Sequence, residues 1–307
     1  MPESAILIIK LGALGNVILS LNAFAAIRAH HPAAPISLLT TAPYADWLRQ
    51  APWFDDVLVD TRPGWWNLLG VRRLRRMLRR PGFTRVYDLQ TSGRSSYYFQ
   101  LFPRTAKPEW SGIAPGCSHP DRDPNRDRLH DNDRQIGQLP QAGISAIPPA
   151  DLSWCRGDIG RFDLPRDFVV LVPGSAPHRT AKRWPAARYQ ALAEALRAQG
   201  LTPIVVGSTT EAAIARDIPA ALNLTGQTSF GDLADLGRAA RFAVGNDTGP
   251  MHLLATAGCR SVVLFSNASD PALCAPRGPD VRVLRRPDLA SLTVAAVLAE
   301  LPHPVAA

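Results

Sequence analysis

Residues 6–19 read ILIIKLGALGNVIL, and this stretch indicates the fold of the chain. The apolar run from Ala5 to Leu11 predicts a buried strand that ends in a glycine turn, and a helix is predicted from about Gly15 to Ala29. A second apolar run, PISLLTT at residues 35–41, predicts another strand. A strand, a helix and a strand in this order form a parallel βαβ unit.

Helical patterns and apolar runs alternate along the rest of the chain, which predicts an α/β fold with parallel sheets covered by helices. A helix is predicted at residues 68–80, and a strand follows at FTRVYDLQ (83–90). The remaining predicted strands are FVVLV (168–172), TPIVVG (202–207), RFAVG (241–245) and SVVLF (261–265). Helices are predicted to start near residues 185, 210 and 249, and a last helix is predicted at 289–301.

The proline-rich segment GISAIPPADLSW at residues 143–154 is the best candidate for a linker. It predicts two Rossmann-like, doubly wound domains, one at residues 1–150 and one at 151–307. Ligands of such domains bind at the carboxyl ends of the strands, so we expect them in a cleft that both domains face. The last helix is a candidate for packing back on the N-terminal domain.

One segment of the predicted N-terminal domain has little periodicity and many turn residues. It reads IAPGCSHPDRDPNRDRL at residues 113–129. We interpret it as a loop, which is either a mobile flap over the cleft or an idle surface segment.

The composition is that of a soluble globular protein, since 46% of the 307 residues are hydrophobic. Lys and Arg number 34 against 26 Asp and Glu, and the net charge of +8 favours an anionic partner such as a nucleotide, a nucleic acid or a membrane surface. The four cysteines lie far apart without a C-x-x-C pair, which argues against structural zinc and favours a reduced, cytoplasmic compartment. The apolar stretch at residues 5–27 is interrupted by polar residues and glycines, so no membrane span is predicted there.

The opening glycine turn does not match the common nucleotide-binding loops. A dinucleotide fingerprint needs three glycines and an acidic residue at the end of the second strand, whereas this turn has Gly12 and Gly15 and the strand ends in Thr40 and Thr41. The P-loop pattern G-x-x-x-x-G-K-[ST] is also absent. The turn either brings backbone amides and Asn16 to the cleft or has a packing role alone.

Two further stretches place candidate anion-binding groups ahead of predicted helices. In PGSAPHRTAKRWP (173–185), Lys182 and Arg183 stand just before a helix that Pro185 opens, where an anion would meet both a cation and unpaired amides. The alternative is a solvated basic turn. Trp184 is interpreted as a packing anchor.

In GNDTGPMHLLATAG (245–258), a strand ends before a helix that Gly258 closes. Asp247 or Thr248 is either an N-cap of that helix or part of a diphosphate-binding site together with Gly249 and His252. Glu211, at the start of another helix, suits a ribose hydroxyl pair or acts only as a favourable charge at a helix N-terminus.

These stretches, in this order, resemble glycosyltransferase family 9, the ADP-heptose:lipopolysaccharide heptosyltransferases of Gram-negative bacteria. The resemblance runs through most of the chain. The Lys-Arg-Trp-Pro and Asp-Thr-Gly-Pro-Met-His stretches carry it most specifically. The other matching stretches are ILIIKLGALGNVILSL (6–21), VYDLQTSGRSS (86–96), HDNDRQIGQL (130–139) and SVVLFSNASDP (261–271).

The resemblance implies a GT-B fold in which the N-terminal domain binds the acceptor and the C-terminal domain binds a nucleotide-sugar. It implies an inverting transfer of a sugar, plausibly heptose from ADP-heptose, onto a lipopolysaccharide-core-type acceptor, without a metal or another cofactor. By matching position, Lys182 would neutralise the diphosphate leaving group and Glu211 would contact the ribose. The other residues implied in nucleotide-sugar binding are Thr228 near the adenine, Asp247, Thr248, Gly249 and His252 around the diphosphate and sugar, and Ser175 as a substitute for threonines that some members carry before the lysine.

The chain departs from the family at Asn16. The first loop of the family ordinarily ends in Gly-Asp, and that aspartate is taken to be the base that deprotonates the acceptor hydroxyl. An amide can orient a hydroxyl but cannot accept its proton. Another group acts as base, with Asp88 and His178 as candidates, or the acceptor needs little help from a base, or the protein binds a nucleotide-sugar and transfers it poorly.

A basic helix is predicted at LLGVRRLRRMLRRPGF (68–83). Its apolar residues share one side, while Arg72, Arg73, Arg75, Arg76, Arg79 and Arg80 occupy much of the rest. The arginine side, Arg72–Arg80, is a candidate for the phosphates of an anionic glycolipid acceptor or for the inner membrane, which would make the protein cytoplasmic and peripheral on that membrane. The alternative is a solvated face. Nucleic acid is not predicted, because no binding module is present and no aromatics interleave with the basic run.

The competing hypotheses are three. The first is a heptosyltransferase, the second is a family member with another nucleotide-sugar or acceptor, and the third is a nucleotide-sugar-binding protein that lost catalysis with its carboxylate.

Overall fold

A computed structural model describes residues 5–301 of the chain. The chain divides into two compact units, Met1–Trp154 and Cys155–Ala307. The division lies at the end of the proline-rich segment 143–154. No helix in the described part of the chain is both long and apolar enough to cross a bilayer.

The first unit contains a six-stranded sheet in the order β3-β2-β1-β4-β5-β6, and every paired strand runs parallel to its neighbour. The opening apolar run forms the central strand β1, which is completely buried, as parallel strands covered on both faces require. The strands are β1 (Ile6–Ile9), β2 (Ile36–Thr40), β3 (Asp56–Val59), β4 (Arg85–Asp88), β5 (Glu109–Gly112) and β6 (His119–Pro120).

The helices of the first unit follow the predicted alternation, with one correction. The single helix predicted from Gly15 to Ala29 is wrong, because the structure has two helices that are separated at Leu19 and Ser20. The Ser20 hydroxyl donates to the carbonyl of Asn16 at 2.7 Å, a local bond of the kind that bends helices. The helices are α1 (Leu14–Ile18), α2 (Leu21–His30), α3 (Ala42–Leu48), α4 (Leu68–Arg79), α5 (Gly93–Leu101) and α6 (Asp131–Gly137), with 3₁₀ turns at Arg126–Arg128 and Leu139–Ala142.

Part of the segment at residues 113–129 pairs with the sheet, which the sequence did not predict. It contributes the edge strand β6, whose neighbour Asp121 donates its amide to the Gly112 carbonyl at 2.8 Å. Ser118 accepts the Trp110 amide at 2.7 Å, and Arg126 pairs with Asp121 at 2.6 Å. Most of the segment is irregular, as predicted, but the short strand and the 3₁₀ turn at Arg126–Arg128 were not predicted, because sheet pairing involves residues outside a local window.

The second unit repeats the topology with six parallel strands in the order β12-β11-β10-β7-β8-β9. The two orders are equivalent, because each starts in the middle, extends to one edge, and then returns to the middle to extend to the other edge. The strands are β7 (Phe168–Val172), β8 (Thr202–Val205), β9 (Leu222–Asn223), β10 (Ala243–Asn246), β11 (Ser261–Phe265) and β12 (Val281–Arg285).

Two helices of the second unit begin where prolines and glycines in the sequence predicted. A helix starts at Ala186, directly after Pro185, and another starts at Gly249 and is followed by Gly258 with φ +100°. The helices are α7 (Ala186–Ala198), α8 (Ala212–Arg216), α9 (Phe230–Ala239), α10 (Gly249–Thr256), α11 (Pro271–Cys274) and α12 (Val294–Leu298), with 3₁₀ turns at Gly160–Phe162, Thr180–Lys182, Thr209–Glu211 and Leu289–Ser291.

The last helix, α12, packs within the second unit. Its Val297 is fully buried in the same core as Leu192 and Leu196 of α7. The Trp184 indole also belongs to this core and donates to the Leu292 carbonyl at 3.0 Å, which confirms Trp184 as a packing anchor. The described part of the last helix is therefore held by the C-terminal core, and the expectation that it packs back on the N-terminal domain stays a prediction.

Candidate functional site

The second sheet has a point where its strand order reverses direction, between β7 and β10. From β7 the chain proceeds outward through β8 and β9, and from β10 it proceeds the opposite way through β11 and β12. The loops that leave β7 and β10 therefore turn away from each other, which leaves room for a ligand at the carboxyl ends of these strands. Lys182 follows β7 and Asp247 follows β10.

Lys182 and Asp247, which are 65 residues apart in sequence, form an ion pair at this point. The Lys182 ammonium donates to Asp247 Oδ2, and the Ser269 hydroxyl donates to the same oxygen at 2.6 Å. Lys182 is 9% exposed and Asp247 is 7% exposed. A cation and an anion removed from water this far stabilise each other only as a pair, so removing either partner leaves an uncompensated buried charge.

Asn246 holds the two loops together. Its side-chain carbonyl accepts the Trp184 amide at 3.0 Å and the Tyr189 hydroxyl at 3.1 Å. Its amide nitrogen donates to the carbonyls of Pro173 at 2.7 Å and Gly174 at 3.3 Å. The last residue of β10 thus fixes both ends of the segment that carries Lys182.

Asn246 was not predicted as a site residue from the sequence. An asparagine that directly precedes Asp-Thr-Gly at the end of a buried strand is the only signal that the sequence offers. Its partners come from the β7 loop and α7, and local patterns do not show that these elements adjoin β10.

Replacing Asn246 with alanine is expected to lower the free energy of unfolding of the second unit by about 3 kcal/mol, because donors and carbonyls buried around it lose their partners. Urea denaturation followed by far-UV circular dichroism measures the change. The exposed Asn267 provides a matched control, since its replacement with alanine is expected to change stability by less than about 0.5 kcal/mol. Equal stability of the two variants would contradict the role of Asn246.

Ser175 is buried and organises the loop after β7. Its hydroxyl donates to the Arg179 carbonyl at 2.9 Å and accepts from Arg183 Nε at 2.9 Å. Arg183 also donates to the Ser175 carbonyl at 3.1 Å. Ser175 therefore orients the guanidinium of Arg183, which lies between Lys182 and Trp184, and its hydroxyl is not unpaired.

Glu211 lies against the ends of β7 and β8. A side chain at Gly174 would place its Cβ 1.6 Å from Glu211 Oε1, and one at Gly207 would place its Cβ 2.7 Å from Oε2. The carboxylate also accepts the Ser208 amide at 2.7 Å in a capping box. The helix-terminal role considered for Glu211 is thus present, and the absence of side chains at Gly174 and Gly207 lets its carboxylate lie against the ends of β7 and β8.

The start of α10 lacks the side-chain N-cap that was one of its two predicted arrangements. Neither Asp247 nor Thr248 caps the helix, because the Asp247 carboxylate is engaged by Lys182 and Ser269 and the Thr248 side chain makes no capping bond. Gly249 is the first residue of α10, and His252 lies one turn further on, 4% exposed. Thr228 is half-buried and lies two residues before α9.

The glycine turn of the first unit lies at the carboxyl end of β1. Gly12 has φ +118°, and a Cβ there would lie 2.7 Å from the Tyr44 ring, so only glycine fits without rearrangement. Gly15 is buried inside α1, and Asn16, the next residue of that helix, is partly exposed. The turn is therefore packed on Tyr44, while Asn16 retains access to solvent.

Asp88 was one of two candidates for the general base, a role that Asn16 cannot fill. It ends β4 beside Ile9 of β1 and is completely buried. Burial raises the pKa of Asp88 to about 6, and the amides of Gln90 and Thr91 oppose this rise by donating to its Oδ1 at 3.1 and 3.0 Å. Because the Asp88 carboxyl has no exposed surface, it is not positioned in this conformation to take a proton from a hydroxyl that approaches from solvent.

Lys10 accompanies Asp88 inside the first unit. Its ammonium donates to the Leu89 carbonyl at 3.0 Å, and burial lowers its pKa to about 7, an effect that the Asp88 charge partly offsets. His178, the second candidate base, is exposed in the loop after β7. Among residues 5–301, no group of three or more histidine, cysteine, aspartate or glutamate side chains is arranged to hold a metal ion.

Comparison with protein families identifies one that covers about half of the chain. The model of glycosyltransferase family 9 (heptosyltransferase) matches residues 138–295. Lipooligosaccharide heptosyltransferase 2 of Haemophilus influenzae is 30% identical over 129 residues. That match spans 39% of this chain and only 37% of the relative's length.

Solved structures match over nearly the whole chain. The Escherichia coli ADP-heptose lps heptosyltransferase II matches with a TM-score of 0.78 and 21% identity, covering 96% of this chain and 97% of that one. The E. coli heptosyltransferase WaaC with ADP matches with a TM-score of 0.72 and 19% identity, covering 96% and 98%. At these identities the likeness shows the fold, which is GT-B with two Rossmann-like domains, as the sequence predicted.

Proposed function

The chain belongs to glycosyltransferase family 9, and from this membership we propose that it is an inverting, metal-independent glycosyltransferase without a resident cofactor. The proposed donor is a nucleotide-sugar, namely ADP-heptose, and the proposed acceptor is a lipopolysaccharide-core-type glycolipid. The observation that carries the proposal is the buried Lys182–Asp247 pair at the strand-order reversal of the second sheet. The ADP and ADP-heptose named for solved relatives support an adenine nucleotide.

Lys182 is proposed to stabilise the leaving diphosphate. As the acceptor oxygen bonds to the anomeric carbon and the bond to the diphosphate breaks, negative charge accumulates on the diphosphate oxygens. An ammonium has three N–H donors, of which Asp247 takes one, so the others are available to these oxygens. The amides of the first turn of α10, which no side chain caps, add a second source of positive potential.

Asp247 is proposed to position the ammonium rather than to contact the diphosphate. Its Oδ2 accepts from both Lys182 and Ser269, which disperses its negative charge and fixes its direction. Glu211, beside Gly174 at the neighbouring strand end, is proposed to bind the ribose hydroxyls, and Thr228 is proposed to lie near the adenine. His252, Thr248 and Gly249 are proposed to surround the diphosphate and sugar.

The first unit is proposed to bind the acceptor through the turn that contains Gly12, Gly15 and Asn16. The amide of Asn16 can hold the attacking hydroxyl in line but cannot take its proton. The proton is therefore expected to pass to water or to a phosphate of the substrate. Asn16 also favours a second candidate function, a nucleotide-sugar-binding protein with little transfer activity.

The acceptor is proposed to be anionic, and the protein is proposed to act in the cytoplasm at the inner membrane. The exposed arginines of α4 support this proposal, because phosphate groups of a glycolipid complement their charge.

The decisive experiment measures ADP release from ADP-heptose with and without a deacylated lipopolysaccharide-core acceptor. We expect release that depends on the acceptor, and we expect UDP- and GDP-sugars to be poor donors. Isothermal titration calorimetry with ADP, UDP and GDP measures binding separately. Tight ADP binding without any transfer would support the binding-protein alternative, and preference for another nucleotide would replace the proposed donor.

A further inference from the structure

A patch of large apolar side chains is exposed on the first unit. Of the seven large hydrophobic residues that are exposed in the described part of the chain, five belong to a short stretch and its neighbour α5. We call this group the apolar patch, and it consists of Trp65, Trp66, Leu68, Leu69 and Tyr97. Trp66 is 88% exposed, and Leu68 and Leu69 are 66% and 67% exposed. Five large apolar side chains exposed on one short stretch and its neighbouring helix are more than the single, scattered ones that are normal on a protein surface.

The apolar patch is held in place by specific contacts. The ring centroids of Trp65 and Tyr97 lie 4.4 Å apart, and the Arg94 guanidinium carbon lies 4.7 Å from the centre of the Trp65 ring. Arg94 also donates to the Pro63 carbonyl at 3.3 Å. The indole of Trp66 lies over Gly64, where a Cβ would be 2.5 Å from the ring, so the Trp66 ring rests on the backbone.

The arginine face of α4 continues directly from the apolar patch. Asn67 caps the helix by accepting the Gly70 amide at 2.9 Å, and Leu68 and Leu69 form its first turn. Leu74 and Leu78 are buried on the opposite side. Five arginines of this helix and its end are exposed and form no ion pair with a carboxylate among residues 5–301: Arg72, Arg73, Arg75, Arg76 and Arg80.

The order of residues along α4 matches the layers of a bilayer surface. Leu68, Arg72 and Arg76 follow one another at intervals of four residues and so share the solvent side of the helix. An apolar first turn preceded by two tryptophans suits the boundary between headgroups and acyl chains, where tryptophan is enriched. The arginines that follow suit anionic headgroups.

We propose that the apolar patch and the arginine face of α4 together form a membrane-docking surface, in which Trp66, Leu68 and Leu69 insert into the interface of an anionic bilayer. A second copy of the chain fits less well, because it would bring two unpaired arginine faces toward one apolar contact, and like charges repel. The inference refines the proposed membrane location and does not depend on the transfer reaction.

Sedimentation with lipid vesicles tests the docking surface in the absence of any substrate. The protein is expected to bind vesicles of mixed phosphatidylglycerol and phosphatidylcholine, and to bind phosphatidylcholine alone weakly. The double variant Trp66→Ser with Leu69→Ser is expected to lower binding by roughly tenfold or more, because two inserted side chains are lost. The matched control is Leu222→Ser with Val283→Ser, which removes two exposed apolar residues of the second unit and is expected to bind normally.

The contribution of the arginines to vesicle binding is tested with two double variants that lower the net charge by the same amount. Arg72→Gln with Arg76→Gln is expected to weaken binding to the anionic vesicles roughly 30-fold, since each basic residue near such a surface contributes a factor of about five. Arg104→Gln with Arg166→Gln removes two exposed arginines elsewhere and is expected to have a much smaller effect. Brominated lipids are expected to quench the fluorescence of the parent more than that of Trp66→Phe.

Three outcomes would overturn the proposal. They are a parent that does not bind anionic vesicles, an apolar double variant that binds as well as its control, and a parent that forms a dimer which Trp66→Ser disrupts without any binding to vesicles. Transfer to a water-soluble acceptor is expected to be retained in the apolar double variant. A loss of transfer with normal vesicle binding would count against the proposed function and not against the docking surface.

Discussion

Replacing Lys182 with alanine is expected to reduce sugar transfer by roughly 10²–10³-fold, the effect of removing one donor to a charge that develops in the transition state. The buried ammonium is lost, and the Asp247 carboxylate then remains at 7% exposure without its cation. That carboxylate would repel the diphosphate as well as fail to stabilise it. We therefore expect weaker ADP binding together with a lower kcat.

The two consequences of losing Lys182 can be separated with a second substitution. Breaking a buried pair costs about 3–5 kcal/mol of stability, because one charge stays uncompensated. Lys182→Ala combined with Asp247→Ala removes both charges, so stability is expected to recover in large part while transfer stays low. Calorimetry with ADP, kcat and KM for the donor, and urea denaturation are the measurements.

Lys107→Ala is the matched control, because Lys107 belongs to the first unit, where it contacts Gln100 and the Phe99 ring. It is expected to leave ADP affinity unchanged. An unchanged ADP affinity in Lys182→Ala would remove Lys182 from the donor site and, with it, the observation on which the proposed function rests.

Replacing Asn16 with aspartate is expected to increase kcat by roughly 10²–10⁴-fold, the range that a well-placed general base supplies. Asn16 is partly exposed at the carboxyl end of β1, and the substitution is nearly isosteric, so the fold is expected to tolerate it. A carboxylate accepts the proton of the acceptor hydroxyl as the new glycosidic bond forms. The parent lacks this step, and its kcat is expected to be low.

The pH profile distinguishes base catalysis from a general effect of added negative charge. In the Asn16→Asp variant, kcat is expected to rise with pH through the pKa of the new carboxyl and then level off, because only the ionised form accepts a proton. Asn125→Asp adds the same charge at an exposed position of the first unit and is expected to change neither kcat nor the profile. Donor affinity is expected to be similar in all three proteins.

The outcome also decides between the two candidate functions. Turnover that appears only in Asn16→Asp would identify the parent as a nucleotide-sugar-binding protein. Rapid turnover by the parent would exclude that alternative and would mean that the acceptor needs no protein carboxylate at position 16. Unchanged slow turnover in both proteins would contradict the role expected for this position.

The sequence by itself determined the α/β class, the alternation of strands and helices, and the family. These follow from local signals: apolar runs long enough for buried strands, prolines at Pro185 and Pro250 ahead of or within first helical turns, and Gly258 beyond a last turn. Such signals act over a few residues through backbone conformation and burial, so a reading of the chain in short windows is sufficient to find them.

The tertiary structure alone decided which candidate residues act together. Strand order places β7 next to β10, and only then does Lys182 reach Asp247 across 65 residues and Asn246 join two loops. The same holds for the apolar patch, since the exposure of Trp66 depends on what the rest of the first unit does not cover. Ion pairing, hydrogen bonding and exposure depend on distances between segments remote in sequence, and folding of the whole domain sets those distances.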